Sequence, residues 1–446
     1  MKSKHAFNIA LFLIPIVTIT AMNLFASKDQ TVSLLEKRDI QPMPKLTLDS
    51  IVDGTYTKQF DNYYSDHFVM RESMVETGSN IKSLKGWNSS DGVALVEAGG
   101  NNMSENLGAP TTEGQPEATG AATDNSDAVP VSADVAVASK DDGSEGVVQT
   151  EKSTYLVIKD KAMLLYHSSA PASADYAATL NRLRAALKPN VNLYSLLVPS
   201  QVEFVEEAKY KKLNDSQKDA FANVYAQTDK GVIPVPAYAH IEPHKGEYVY
   251  YRSDHHWTTL GAYYAYEGVA EAMGVKALPL SSFKKQEIKN FLGSAYSATL
   301  NTAMKKNPDT ITTYMPTTKF KFDVYKTSKP KSHPLVETTM PTDGRGGYAV
   351  FLGGDFSLGR ITTDVHNGKR LLLVKDSYAN AMVPFLVPHF EEIDIVDPRY
   401  YKGNLLTLVK DRKITDVMLE NSPIVTTYNS LAKMIDALVV TTPAKK

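Results

Sequence analysis

The sequence predicts an α/β fold, a mostly parallel sheet covered by helices. Short apolar runs that each end in a polar or glycine tip are the first sign: NLYSLLVPS, YAVFLGG, RLLLVKDS, EIDIVDP and ITDVMLENS have the pattern of strands buried on both faces. Amphipathic helical segments are the second. In SADYAATLNRLRAALKP, Tyr176, Leu180, Leu183 and Leu187 recur at helical spacing and Pro189 ends the turn. TTLGAYYAYEGVAEAMG opens on a threonine cap, turns Leu260, Tyr263, Val269 and Met273 inward and closes at Gly274. The third sign is order along the chain, since strand-like TYLVIK and MLLYH lead directly into the first of these helices.

Composition excludes several functions before any motif is read. The 446 residues carry a net charge of only −2, so nothing implies a nucleic-acid partner or an acidic membrane surface. With no cysteine there is no thiolate metal site, cysteine nucleophile, disulfide or lipoprotein-type anchor. At the amino end, Lys2 and Lys4 precede an uncharged run from Ala6 to Ser27, near the ~20 residues a helix needs to cross a bilayer. It reads as a cleaved signal or as an uncleaved anchor over residues 1–27. The run is long for a signal core and NLFAS lacks an A-x-A cleavage pattern, which favours the anchor. Either reading places the bulk of the chain outside the cytoplasm.

Residues 99–150 lack aromatic side chains and are built from Gly, Ala, Ser, Thr, Pro, Asp and Glu, so they read as a disordered acidic insertion. It separates strand-like DGVALVEAG from STYLVIKDKAMLLYH, so residues 46–98 and 151–446 read as one domain interrupted by a long excursion.

In an open α/β sheet ligands bind beyond the carboxyl ends of the strands, where Ser200, Gly353, Gly354, Ser377, Arg399 and Asn421 are candidates to converge. The most informative tip is KRLLLVKDSYANAMVPFLVPHF. Leu371 to Val374 form the buried strand, Asp376 and Ser377 stand at its end, and Tyr378 to Leu386 turn as a short helix despite Pro384. A hydroxyl at a strand-to-helix turn has backbone N–H groups nearby to stabilise an oxyanion, although a serine there also serves as a plain cap. A partner for it lies in YYRSDHHWTT, a loop between strand-like EYVYY and the threonine-capped helix. Asp254 and His256, two residues apart in an irregular turn, allow the carboxylate to orient the imidazole while its other nitrogen faces a serine. Asp254, His255 and His256 also suit a metal-dependent phosphoesterase, which would need an acidic cluster this sequence does not display. A third reading leaves them a helix-entry loop with Trp257 in the core.

SDHHWTTLGAYYAY, followed by VFLGGDFSLGRITTD and LLLVKDSYANAMVPFLVPHFEEIDIVDPRYY, resembles the bacterial DHHW family, related to the alginate O-acetylation proteins AlgJ and AlgX. The resemblance covers about Leu46 to Ala98, including FDNYYSDHFVMRE, and Ser153 to Asp436. It implies an SGNH-hydrolase-like three-layer fold with permuted triad order, with Ser377 as nucleophile, His256 as base, Asp254 as its orienting acid and His255 as a neighbour. It also implies an extracytoplasmic O-acetyltransferase acting on a cell-envelope or secreted carbohydrate polymer, supplied with acetyl by a membrane O-acyltransferase. No metal or nucleotide cofactor is required. An acetyl esterase using the same triad, or a non-catalytic polysaccharide-binding or assembly protein, would fit the same residues. Lys375 departs from the Gly-Asp-Ser of the alginate proteins, and no carbohydrate-binding module follows, which bears on polymer recognition. Gly353, Gly354, Arg399, Tyr400 and Asn421 are secondary candidates for oxyanion or substrate contacts. Asp66, His67 and Arg71 form a second polar group assigned to structure; Asp66 and Arg71, five apart in a helix, need partners elsewhere.

Overall fold

A computed structural model describes residues 2–33, 38–85, 93–98, 153–325, 329–343 and 345–439. Along the chain, helices α1 (Lys2–Phe25), α2 (Thr55–Asp66) and α3 (Arg71–Lys85) precede three antiparallel strands, β1 (Val93–Ala98), β2 (Ser153–Ile158) and β3 (Lys161–Leu164). There follow α4 (Ala170–Ala186), β4 (Asn192–Leu197), α5 (Gln217–Ala226), β5 (Val232–Pro234), α6 (Ala237–Ile241) and α7 (Thr259–Ala272). An antiparallel pair, β6 (Phe283–Phe291) and β7 (Asp309–Pro316), leads to β8 (Phe320–Tyr325), β9 (Pro330–Ser332) and β10 (Leu358–Thr363). The chain ends in β11 (Arg370–Lys375), β12 (Glu392–Val396), α8 (Leu405–Asp411), β13 (Asp416–Asn421) and α9 (Ser430–Val439).

The main sheet has eight strands in the order β9-β8-β10-β12-β11-β13-β4-β5. From β12 to β5 every pairing is parallel, whereas β9, β8 and β10 add antiparallel neighbours, so the sheet is mixed rather than mostly parallel throughout. Four of the five runs read as sheet strands lie in the parallel part. The fifth, YAVFLGG, does not: Gly347–Val350 is a 3-10 turn, and Leu352, Gly353 and Gly354 all have positive φ (61°, 74° and 93°), which no pleated strand tolerates. Alternation along β11 explains the layers. Leu371 and Leu373 join one core with Trp257, Tyr263 and Tyr266, while Leu372 and Val374 join the opposite core with Tyr176, Leu180, Leu183, Leu405 and Ile435. The sheet is thus sandwiched between α6 and α7 on one face and α4, α5, α8 and α9 on the other. Each fully buried aliphatic chain of β11 contributes about 1.5–3 kcal/mol, which fixes the strand whose end carries Ser377.

The amino-terminal elements are tied down by polar contacts. Asn23, buried near the end of α1, accepts from the backbone N–H of Val69 (3.0 Å) and from Lys28 Nζ (3.1 Å), which also donates to the His67 carbonyl (2.8 Å). Asp66 accepts the Gln41 N–H (3.0 Å) and His67 Nδ1 bonds the Tyr63 carbonyl (2.9 Å), so these two residues serve local structure. The apolar amino-terminal run is helical, but side chains are described only from Leu11 on; among the described residues no helix is long and apolar enough to cross a membrane. The acidic insertion lies outside the described residues. The strands flanking it are paired, with Ala98 opposite Ser153.

One buried acid in the sheet makes stability depend on pH. The Asp394 carboxyl on β12 is fully buried, neither oxygen has a hydrogen-bond partner among the described residues, and the nearest cation atom, Arg360 Nε, is 4.0 Å away. Burial, against the pull of Arg360 and Arg412, pushes its pKa up to about 6. Between roughly pH 4 and 6 the folded state therefore binds more protons than the unfolded chain, and stability falls as pH rises through that window. Asp394→Asn is expected to exceed the parent by about 1–3 kcal/mol at pH 7.5, the difference closing below pH 4. Thermal melts across this range check it, and a pH-independent difference would overturn it.

Candidate active site

Ser377 follows the end of β11 and opens a 3-10 turn, Ser377–Ala381. Pro384 sits in the first turn of the next helix, Val383–Leu386, where a missing N–H costs nothing, so the segment is two short turns rather than one helix. Asp376 caps the turn by accepting the Tyr378 N–H (3.0 Å) and crosses to β13's end by accepting the Ser422 N–H (2.7 Å). Its carboxyl is raised above the usual range by burial, partly offset by those two N–H groups. The residue beside the serine thus braces the turn.

The loop before α7 meets this turn. His256 Nε2 lies 2.8 Å from Ser377 Oγ, and His256 Nδ1 lies 2.6 Å from Asp254 Oδ1. A carboxylate facing Nδ1 assigns the proton to that nitrogen, leaving the Nε2 lone pair to accept from the serine hydroxyl. Asp254 Oδ1 also accepts the His256 N–H (3.0 Å), while Oδ2 accepts the Ser294 N–H (2.8 Å) and hydroxyl (3.2 Å). Gly293 is required for this: a Cβ there would sit 2.2 Å from Asp254 Cβ. Tyr348 stacks on the His256 imidazole, with centroids 3.8 Å apart and planes 3° from parallel. Burial holds its phenol well above the usual range, so it stays neutral and donates to the Tyr378 carbonyl (3.3 Å). Trp257 Nε1–H donates to the same carbonyl (2.8 Å), tying the histidine loop to the serine turn. Asp254, His256 and Trp257 are all buried.

The ligating atoms of Asp254, His255 and His256 fall within 4.8 Å of one another. His255 Nδ1 is 2.5 Å from Ser294 Oγ, so both histidines and both carboxylate oxygens already hold protein partners. A metal bound by these three residues would have to break that set, and the phosphoesterase pattern of added carboxylates is absent among the described residues.

The secondary candidates sit elsewhere. Asn421 continues the Val417–Leu419 side of β13 and accepts from Tyr176 of α4 (2.8 Å), on the face opposite Trp257. The Gly354 N–H donates to the Phe351 carbonyl (3.0 Å), and a Cβ on Gly353 would lie 2.2 Å from the His333 ring; both glycines serve a tight turn and neither bonds the Ser377 group among the described residues. Arg399 belongs to a buried ion cluster. Its Nη2 is 2.5 Å from Asp355 and 2.6 Å from Asp397, and fully buried Lys375 is 2.6 Å from Asp355 and 3.6 Å from Asp397. Burial would raise Asp355, but Lys375 and Arg399 outweigh it and hold the carboxyl far below its ordinary range. Asp355 also accepts from Asn380 in the serine turn (3.1 Å), so Lys375 and Arg399 brace the turn from below. Tyr400 packs its ring under Arg399 (5.4 Å). Tyr348, Ser294, Asp355 and Asn380 were not legible as site residues; Tyr348, Asp355 and Asn380 lay in or beside marked runs, but nothing in those runs gave them a role, and Ser294 lay in none.

Beside this group a cleft of about 160 Å³ opens over the carboxyl ends of β4 and β13, bordered by His255, Tyr378 and Ser200 and walled by β2 and β3.

A family model described as DHHW protein matches residues 121–396, which takes in Asp254, His256 and Ser377 and ends before Arg399. No curated protein matches the chain. A DHHW family protein from Eubacterium siraeum DSM 15702 is 32% identical over 65% of this chain and 96% of its own, with a TM-score of 0.58. Bacillus cereus PatB1 shares the fold at 19% identity over 64% of this chain and 99% of its own (TM-score 0.52); PatB1 with a sulfonyl adduct matches at 18% identity, 64% and 97% coverage and the same TM-score.

Proposed function

The chain belongs to the DHHW protein family, and from that premise we propose that it is an extracytoplasmic, SGNH-like O-acetyltransferase that modifies a cell-envelope or secreted polysaccharide. The observation that carries this reading is the line Asp254–His256–Ser377, with contacts of 2.6 and 2.8 Å in the orientation a serine nucleophile needs. His256 Nε2 removes the Ser377 proton as Oγ attacks the acetyl carbonyl carbon, then returns it to the donor's leaving oxygen. Asp254 keeps the imidazole oriented and stabilises its cation. A sugar hydroxyl next attacks the acetyl-serine; His256 takes its proton and passes it to Ser377 Oγ as the C–Oγ bond breaks. The amino-terminal apolar run behind Lys2 and Lys4 is taken as a membrane anchor, which would hold the site near a membrane O-acyltransferase that delivers acetyl.

The test gives the protein an activated acetyl ester with envelope-derived oligosaccharides and follows acetyl by mass spectrometry. Acetylated sugar that depends on Ser377 is expected, as is a covalent adduct at Ser377 on treatment with a sulfonyl fluoride. Acetate alone, with the polymer bound, would make the protein an esterase; no acyl-Ser377 from any donor would overturn the catalytic reading.

A further inference from the structure

We propose that the cleft beside Ser377 is an acceptor subsite for one uncharged sugar ring, so that the modified polymer is neutral there rather than uronate- or phosphate-bearing. This rests on the transferase reading above. His255 and Tyr378, which border the cleft, are the chain neighbours of His256 and Ser377, so the cleft adjoins the loop and the turn that carry the reacting atoms. Its volume of about 160 Å³ compares with the roughly 150 Å³ cavity that accepts a benzene ring, which is room for one six-membered ring with substituents directed out of the mouth.

The walls select among such rings. Tyr166, Tyr378 and Tyr428 with Met163, Leu165 and Ile424 offer aromatic and aliphatic surface to the C–H face of a pyranose. Among the described residues no lysine, arginine, aspartate or glutamate lines the cleft, and its only imidazoles are His167 and His255, so a carboxylate or phosphate entering it would shed hydration without meeting a permanent opposite charge. A hydroxyl is better served. Gln201 lines the cleft, and its side-chain oxygen is buried with no hydrogen-bond partner among the described residues. A sugar O–H satisfies that oxygen once the Gln201 amide turns out toward the cleft, whereas a hydrocarbon acyl chain leaves it orphaned.

The experiment measures binding, separately from turnover, with the full-length protein carrying Ser377→Ala. Neutral hexose and N-acetylhexosamine hexamers are compared with a hexauronate by saturation-transfer NMR and titration. At least one neutral hexamer should bind tenfold or more tighter than the hexauronate. Gln201→Leu should weaken it at least tenfold, and Gln201→Lys should shift preference toward the uronate. Melting curves identify any variant that fails to fold, and of the two substitutions at Gln201 only Gln201→Lys should gain affinity for the hexauronate. No binding by any neutral hexamer, equal or tighter uronate binding, neutral binding indifferent to both Gln201 variants, or capture of a fatty acyl ester instead would each overturn the subsite. Failure of the unsubstituted protein to form acetyl-Ser377 would overturn the transferase reading and is read independently of these titrations.

Discussion

Ser377→Ala is expected to lower turnover of an acetyl ester by about 10⁴- to 10⁶-fold, and His256→Ala by a similar amount, because members of such a set fail together. Asp254→Asn keeps the shape but lets the imidazole take the wrong tautomer, and is expected to cost roughly 10⁴-fold. The double substitution Ser377→Ala with His256→Ala should lose little more than either alone. His255→Ala should be milder, since His255 bonds Ser294 and packs its ring, tilted by 36°, 3.8 Å from that of His256 but contacts neither Ser377 nor the Nδ1 proton in the bonds described. Steady-state kinetics with melting curves check the series; near-parent turnover by Ser377→Ala would sink the mechanism, and additive losses would mean that the residues act independently.

Arg399→Met is expected to destabilise the protein by about 3–5 kcal/mol, the typical cost of leaving a buried charge without its partner. Arg399 and Lys375 together balance Asp355 and Asp397, and removing the guanidinium leaves one net negative charge among groups that are largely buried. Neutralising the cluster in pairs relieves this, so Arg399→Met combined with Asp355→Asn should recover part of the loss. A substrate-binding arginine would instead raise KM at unchanged stability. Chemical denaturation of the single and double variants decides, and a stability loss under about 1 kcal/mol for Arg399→Met would overturn the structural role.

The three central residues were legible because local pattern put a serine just past a buried strand and an acid and imidazoles together in a loop, and because the family resemblance singled out His256 over His255, which spacing alone did not. The secondary candidates depended on which way a side chain points, and that needs register. Asn421 is at a strand tip like Ser377, yet alternation along β13 turns it toward Tyr176. Lys375 read as a departure from Gly-Asp-Ser; its meaning came only with Asp355 and Asp397, which reach it from two separate loops. Tyr348 and Ser294 approach His256 and Asp254 across long stretches of chain, and no spacing rule joins such pairs. The mixed edge of the sheet escaped for a related reason, since β8 and β10 pair antiparallel in a part of the chain with no buried apolar run of the β11 type.

The pairing of β1 with β2 carries a further consequence. Ala98 faces Ser153 across one ladder, so residues 99–152 leave and re-enter the fold one strand spacing apart. Closing a longer loop costs only about 0.6 kcal/mol per doubling of its length, and the ladder itself does not register what is spliced in. That gap is therefore a natural port in the architecture: a tag, a reporter domain or a pair of new chain ends can be placed there, and a chain cut at that point has two pieces that share a sheet edge along which to find each other again.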